Sequence, residues 1–176
     1  MDEDENEFLP PTRPIPEEFY SAYEDRPFRS CTRCGESLTD FREGYQVAKV
    51  MKGGEAIFEY ALCGPCHLGL LEEFSEESRK ALESFYSKNM TPGLGADICG
   101  LCQKPKDELQ GEEYALGAAC LGEGMLEAFM VCAPCLERAN ALVSKKTQGI
   151  WDQFIEDNFP GVAADCLPGA IGVALF

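Results

Sequence analysis

The chain has 176 residues and no apolar run near the length that crosses a bilayer, so a soluble protein of one or two small domains is expected. Its 15 Lys and Arg stand against 31 Asp and Glu, a formal net charge of −16, and such a field opposes the phosphate neutralisation on which nucleic-acid binding rests. The same charge favours a protein partner with a basic surface.

Residues 1–30 read as an acidic, Pro-rich N-terminal arm. The start, Met1 to Glu7, is acidic where a secretory signal would be basic and then apolar, so no export is expected and the cytoplasm is the expected compartment. Pro10, Pro11, Pro14 and Pro16 forbid a helix and favour extended chain. Pro16 is placed to open a short helix with Glu17 and Glu18 in its first turn. Phe19, Tyr20, Tyr23 and Phe28 then either lie on the domain that follows or form a docking motif for a partner.

The first unit spans residues 31–90. Cys31 and Cys34 form one Cys-x2-Cys pair, and Cys63 and Cys66 form its answer about thirty residues on. Two such pairs, separated by a segment long enough to fold back, are how a chain surrounds one tetrahedral ion with four sulfurs. Between them Tyr45–Val50 and Ala56–Leu62 lean towards β-structure on either side of Gly53 and Gly54, which predicts a hairpin. A helix is expected after Cys66, with Leu68, Leu71 and Phe74 on its apolar side. Ser75 is placed to cap a further helix carrying Leu82, Phe85 and Tyr86, which Asn89 and Pro92-Gly93 stop.

Residues 91–98 read as a short flexible linker, and the second unit, 99–160, repeats the first at an offset of 68 to 69 residues. Cys99 and Cys102 are answered by Cys132 and Cys135, Tyr45 by Tyr114, Gly53 by Gly122, Ser75 by Ser144 and Phe85 by Phe154. This predicts internal duplication of a unit with the order knuckle, β-hairpin, knuckle, helix. Residues 161–176 form an apolar C-terminal tail too short to span a membrane, expected to lie on the core or to serve as a ligand for a partner's groove.

The motif order resembles the treble-clef group of zinc fingers over residues 31–90 and 99–160. That resemblance implies two structural four-cysteine sites, each closing a unit too small for a self-sufficient core. With eight thiolates on two divalent ions the charge falls by four, to about −20. Iron is the alternative, because the pairs are also similar to those of rubredoxin, although here His67 and Leu136 continue into expected helices. Cys63-Gly64-Pro65-Cys66 also copies the thioredoxin motif and, with His67, a c-type haem attachment site. Neither accounts for the upstream pairs, and Leu136 stands where the second unit would need the histidine. Cys120 reads as a small buried hydrophobe and Cys166 has no counterpart.

No phosphate loop and no His-Glu-x2-His motif is present, and the single histidine leaves carboxylates as the main candidates for acid–base work. The expectation is therefore a small, zinc-stapled α+β protein that is not an enzyme and acts as a protein-interaction or adaptor module. A rubredoxin-like electron carrier is second, and an enzyme of unrecognised type third.

Overall fold

The computed structural model describes residues 10–159. The acidic tip, the C-terminal tail and Cys166 lie outside the described residues. Six strands form one sheet: β1 (Arg13–Pro14), β2 (Tyr45–Lys52), β3 (Glu55–Cys63), β4 (Gly95–Cys99), β5 (Tyr114–Leu121) and β6 (Gly124–Cys132). Four α-helices accompany it: α1 (Gly64–Glu73), α2 (Glu76–Asn89), α3 (Ala133–Asn140) and α4 (Lys145–Asn158). The molecule is thus α+β, and no helix among the described residues is long and apolar enough to cross a membrane.

Both hairpins form where the glycines allow a tight reversal. Gly53 and Gly54 adopt φ of 59° and 82°, and Gly122 adopts 57° at the second turn, conformations that cost a side-chain-bearing residue but not glycine. The central strands run β6-β5-β2-β3, all antiparallel, and β1 and β4 both pair with β6, β4 in parallel.

The register obeys a single shift of 69 residues. Val50 faces Phe58 as Ala119 faces Glu127, Tyr45 faces Cys63 as Tyr114 faces Cys132, and the bulges at Val50/Met51 and Ala119/Cys120 coincide. Across the β2–β5 junction Tyr45 meets Cys120 and Met51 meets Tyr114, two contacts that the shift exchanges, with Ala48 opposite Gly117 at the centre. One sheet therefore runs through both halves of the chain. Residues 91–98, expected as a flexible linker, instead lead into β4 along the edge of β6, because Gly95 pairs with Phe129 there.

The second helix of each half crosses to the other half. Leu82 and Tyr86 of α2 pack with Ala139 of α3, flanked by Leu101 and Val143, and the Arg138 guanidinium lies 5.3 Å from the centre of the Phe85 ring. In exchange, Trp151 and Phe154 of α4 pack on Tyr60 of β3, at ring separations of 6.0 and 5.5 Å. The two helices start side by side. Ser75 and Ser144 cap them by accepting from the Ser78 and Thr147 amides, and their own hydroxyls lie 3.1 Å apart. The Thr147 hydroxyl accepts from the Ser75 amide as the Ser78 hydroxyl accepts from the Ser144 amide, at 2.9 and 2.8 Å. On α1 the expected apolar side holds in part: Phe74 at the helix's end is buried and Leu71 packs against the core, but Leu70 is buried in addition and Leu68 is 58% exposed.

The arm is fastened to the sheet. Arg13 and Pro14 pair with β6 in the second half, and Phe19, in a single 3-10 turn where the short helix was expected, is buried. Tyr20 and Phe28 pack against the core, while Tyr23 is 94% exposed. Lys49 and Glu59, cross-strand neighbours on β2 and β3, form a buried ion pair at 3.3 Å. The Lys49 ammonium donates to the carbonyls of Glu18 and Tyr20, and the Glu59 carboxylate accepts from the Ala22 amide and the Ser21 hydroxyl. Breaking one side of such a pair strands a charge away from water. Glu59→Ala is therefore expected to lower the unfolding free energy by about 3 kcal/mol or more. Denaturant titration measures that loss, and limited proteolysis is expected to cut first within 18–26.

Candidate metal centres

The sequence places each cysteine quartet at the junction of three elements. Cys31 and Cys34 lie on a turn before the hairpin, Cys63 ends β3, and Cys66 sits in the first turn of α1 behind Pro65. Cys99 ends β4, Cys102 follows on the next turn, Cys132 ends β6, and Cys135 sits in the first turn of α3 behind Pro134. Proline there is preset for a helical start and has no N–H to leave unpaired, so it fixes the spacing of the two sulfurs.

Folding brings the thiols together. The sulfurs of Cys31, Cys34, Cys63 and Cys66 all lie within 4.8 Å of one another, as do those of Cys99, Cys102, Cys132 and Cys135. The Cys34–Cys63 separation is 3.8 Å and the Cys102–Cys132 separation 3.6 Å. A tetrahedron with metal–sulfur bonds of about 2.3 Å has edges of about 3.8 Å, whereas a disulfide needs about 2.05 Å. Each quartet has the shape of a tetrathiolate cage and could hold a metal ion.

Backbone donors support the same reading. The Cys63 amide donates to the Cys31 sulfur and the Cys132 amide to the Cys99 sulfur, both at 3.4 Å. Burial pushes the Cys31 thiol up, but amides of Cys34, Cys63 and Arg33 outweigh it and bring the thiol down to about 7. Cys99 comes down to about 7 in the same way, burial being overcome by amides of Cys102, Cys132 and Leu101. Four of the buried or half-buried sulfurs behave oppositely. Burial and neighbouring thiols push Cys66 and Cys135 well up, and burial raises Cys63 and carries Cys132 to about 11. The amides thus favour one thiolate in each quartet, and Cys63, Cys66, Cys132 and Cys135 need a nearby positive charge to ionise. A divalent cation supplies it.

The exposure of the quartets is uneven. Cys34 and Cys102 reach solvent, whereas Cys31, Cys63, Cys99, Cys132 and Cys135 are buried and Cys66 is intermediate. Tyr86 of α2 reaches the second quartet; burial chiefly, and the charges of Cys135 and Cys99, hold its phenol protonated. Helix exchange therefore brings a residue of the first half beside the second site, which the sequence did not announce.

Cys120 is buried on β5, and burial pushes its thiol up to about 11, partly opposed by a hydrogen bond with Tyr45, as suits a small apolar side chain. His67 follows Cys66 in α1 and is half-buried. No family model matches the chain, nor does any curated protein or solved structure.

Proposed function

We propose that the chain is a non-catalytic protein that holds two zinc ions, one on Cys31, Cys34, Cys63 and Cys66 and one on Cys99, Cys102, Cys132 and Cys135. On this reading it is a rigid, acidic platform for a basic protein partner. The observation that carries it is the closure of both quartets: four sulfurs at tetrahedral spacing leave no coordination position for a substrate. An ion so enclosed shapes the protein and performs no reaction of its own.

The treble-clef likeness and an origin by duplication belong to the same reading. The shift of 69 residues that relates the two ladders, and the reciprocal bonds of Ser75 with Thr147 and Ser144 with Ser78, support them. A symmetric pair of identical units, later joined into one chain, would make this set of exchanged contacts. The net charge of −16 supports steering of a basic partner, and no step of the proposal needs the cytoplasm or any other compartment.

A rubredoxin-like iron protein is the second reading, and the solvent exposure of Cys34 and Cys102 favours it, since an electron would leave through an exposed ligand. Elemental analysis with a visible spectrum separates the two. Protein purified without added metal is expected to carry two zinc ions per chain and no colour. Iron at the same stoichiometry with charge-transfer bands would move the assignment to electron transfer, and metal-free folded protein would end both readings.

A further inference from the structure

The cleft between α1 and α2 differs from its counterpart in the other half. Leu68, Leu71 and Glu72 lie on one stripe of α1, and Arg79, Glu83 and Met90 on one stripe of α2, with about 750 Å³ open between them. Leu68 is more than half exposed there. The residues 69 positions on, in α3 and α4, are Glu137, Asn140, Gln148 and Asp152 where the first half has Leu68, Leu71, Arg79 and Glu83. Gln148 donates to Asp152 at 3.1 Å, so that side is polar and internally paired. The fold is satisfied by polar residues at these positions, and the leucines of α1 therefore answer to something else.

The charged groups of the cleft are unspent as well. Glu72 and Glu83 are exposed and make no ion pair among the described residues. The Arg79 side chain, one turn before Glu83, makes no hydrogen bond or ion pair among them either, and its Nε is buried without an acceptor. A groove between two helices, lined by Leu68, Leu71 and Met90, suits a third helix laid in by its apolar face. Two carboxylates on the rim and a net charge of −16 select a helix whose flanks are basic. Arg79 suits the C-terminal end of such a helix, where the last carbonyls lack partners of their own and the dipole is negative.

We infer that this cleft is the docking groove for a basic amphipathic helix of a protein partner. Leucine-like side chains spaced three and four apart enter between Leu68, Leu71 and Met90, and lysines on either side meet Glu72 and Glu83. The final turn of the helix offers its carbonyls to Arg79. The inference rests on the acidic-platform reading and gives it a surface and a shape of partner. The polar, paired counterpart between α3 and α4 is not a second groove of this kind.

The test uses metal-loaded, nitrogen-15-labelled full-length protein and three blocked peptides of about four helical turns. The first carries leucines on one helical face among lysines, the second has the same composition with the leucines scattered, and the third repeats the first with glutamates for the lysines. Saturable amide shifts over 68–72 and 79–90, with a gain in helical circular dichroism, are expected for the first peptide and not for the other two. Leu68→Glu, which copies the side chain at position 137, is expected to weaken binding by about tenfold or more with the metal content unchanged, the scale of one lost leucine contact, although it adds an attractive charge. Glu83→Gln is expected to weaken it by about two- to fivefold and to flatten its dependence on salt. Equal binding of the glutamate peptide would overturn the inference. Shifts scattered over the acidic surface, equal for the two lysine peptides and untouched by Leu68→Glu, would overturn the groove yet leave the acidic platform standing. No shift with either lysine peptide would overturn both.

Discussion

Cys63→Ser is expected to unfold the second half of the chain together with the first, in one cooperative transition, and to release both metal ions. Binding of a structural zinc ion by a small module contributes about 10–16 kcal/mol of apparent folding free energy at neutral pH. A domain of this size is stable by only about 5–15 kcal/mol in total, so losing one site exceeds what the rest can offset. What turns a local loss into a global one is the architecture. β2 and β5 pair along seven residue positions, from Tyr45–Cys120 to Met51–Tyr114, so neither hairpin can leave without stripping the other of its ladder. The check is thermal or denaturant unfolding with metal release followed in the same sample. A variant that keeps one ion and melts in two separate steps would show that the halves are independent units.

Residues 10–90 expressed alone with zinc are expected not to fold as a monomer, although they contain a complete quartet and every element of the first half. The reason is the exchange of helices. Cutting after residue 90 removes Trp151 and Phe154 from the Tyr60 surface and leaves Leu82 and Tyr86 of α2 without Ala139 and Leu101. Losing a buried Trp or Phe costs about 3–5 kcal/mol each, and several leave at once. The one folded form open to the fragment is a symmetric dimer, in which a second copy supplies the missing strand and helix. Sedimentation and amide-proton dispersion decide the matter: a folded monomeric fragment binding one zinc ion would contradict the exchange.

These two results depend on features that were not equally legible beforehand. The quartets were readable because Cys-x2-Cys spacing fixes geometry locally, and the hairpins because Gly53-Gly54 and Gly122 supply the positive φ of a tight turn. Ser75 and Ser144 announced the starts of α2 and α4 for the same kind of reason, a side chain bonding its own backbone three residues on. What escaped was everything set by distant packing. Periodicity put Leu68 inside, but α1 buries Leu70, because the face it turns inward is chosen by what it packs against and not by its own spacing. Residues 91–98 have the glycines of a linker, yet Gly95 is held by Phe129 across the sheet edge. The crossing of α2 and α4 leaves no mark in either half alone. A hint existed in the run of small residues Ala115, Gly117, Ala118 and Ala119, which leaves room over β5 for larger side chains such as the Phe129 ring above Gly117, but such a run does not say which strand pairs with it. Likewise Lys49 and Glu59 alternate with apolar residues as exposed positions would, and only the arm folding over them makes them a buried pair.

The claim on which the account rests is that sulfur alone encloses a metal ion at both quartets. X-ray absorption at the zinc edge, on protein carrying two ions per chain, tests it directly. The account predicts a single shell of four sulfurs at about 2.3 Å and no nitrogen or oxygen neighbour. A shell containing nitrogen or oxygen, or one ion per chain with the other four thiols oxidised to disulfides, would contradict it.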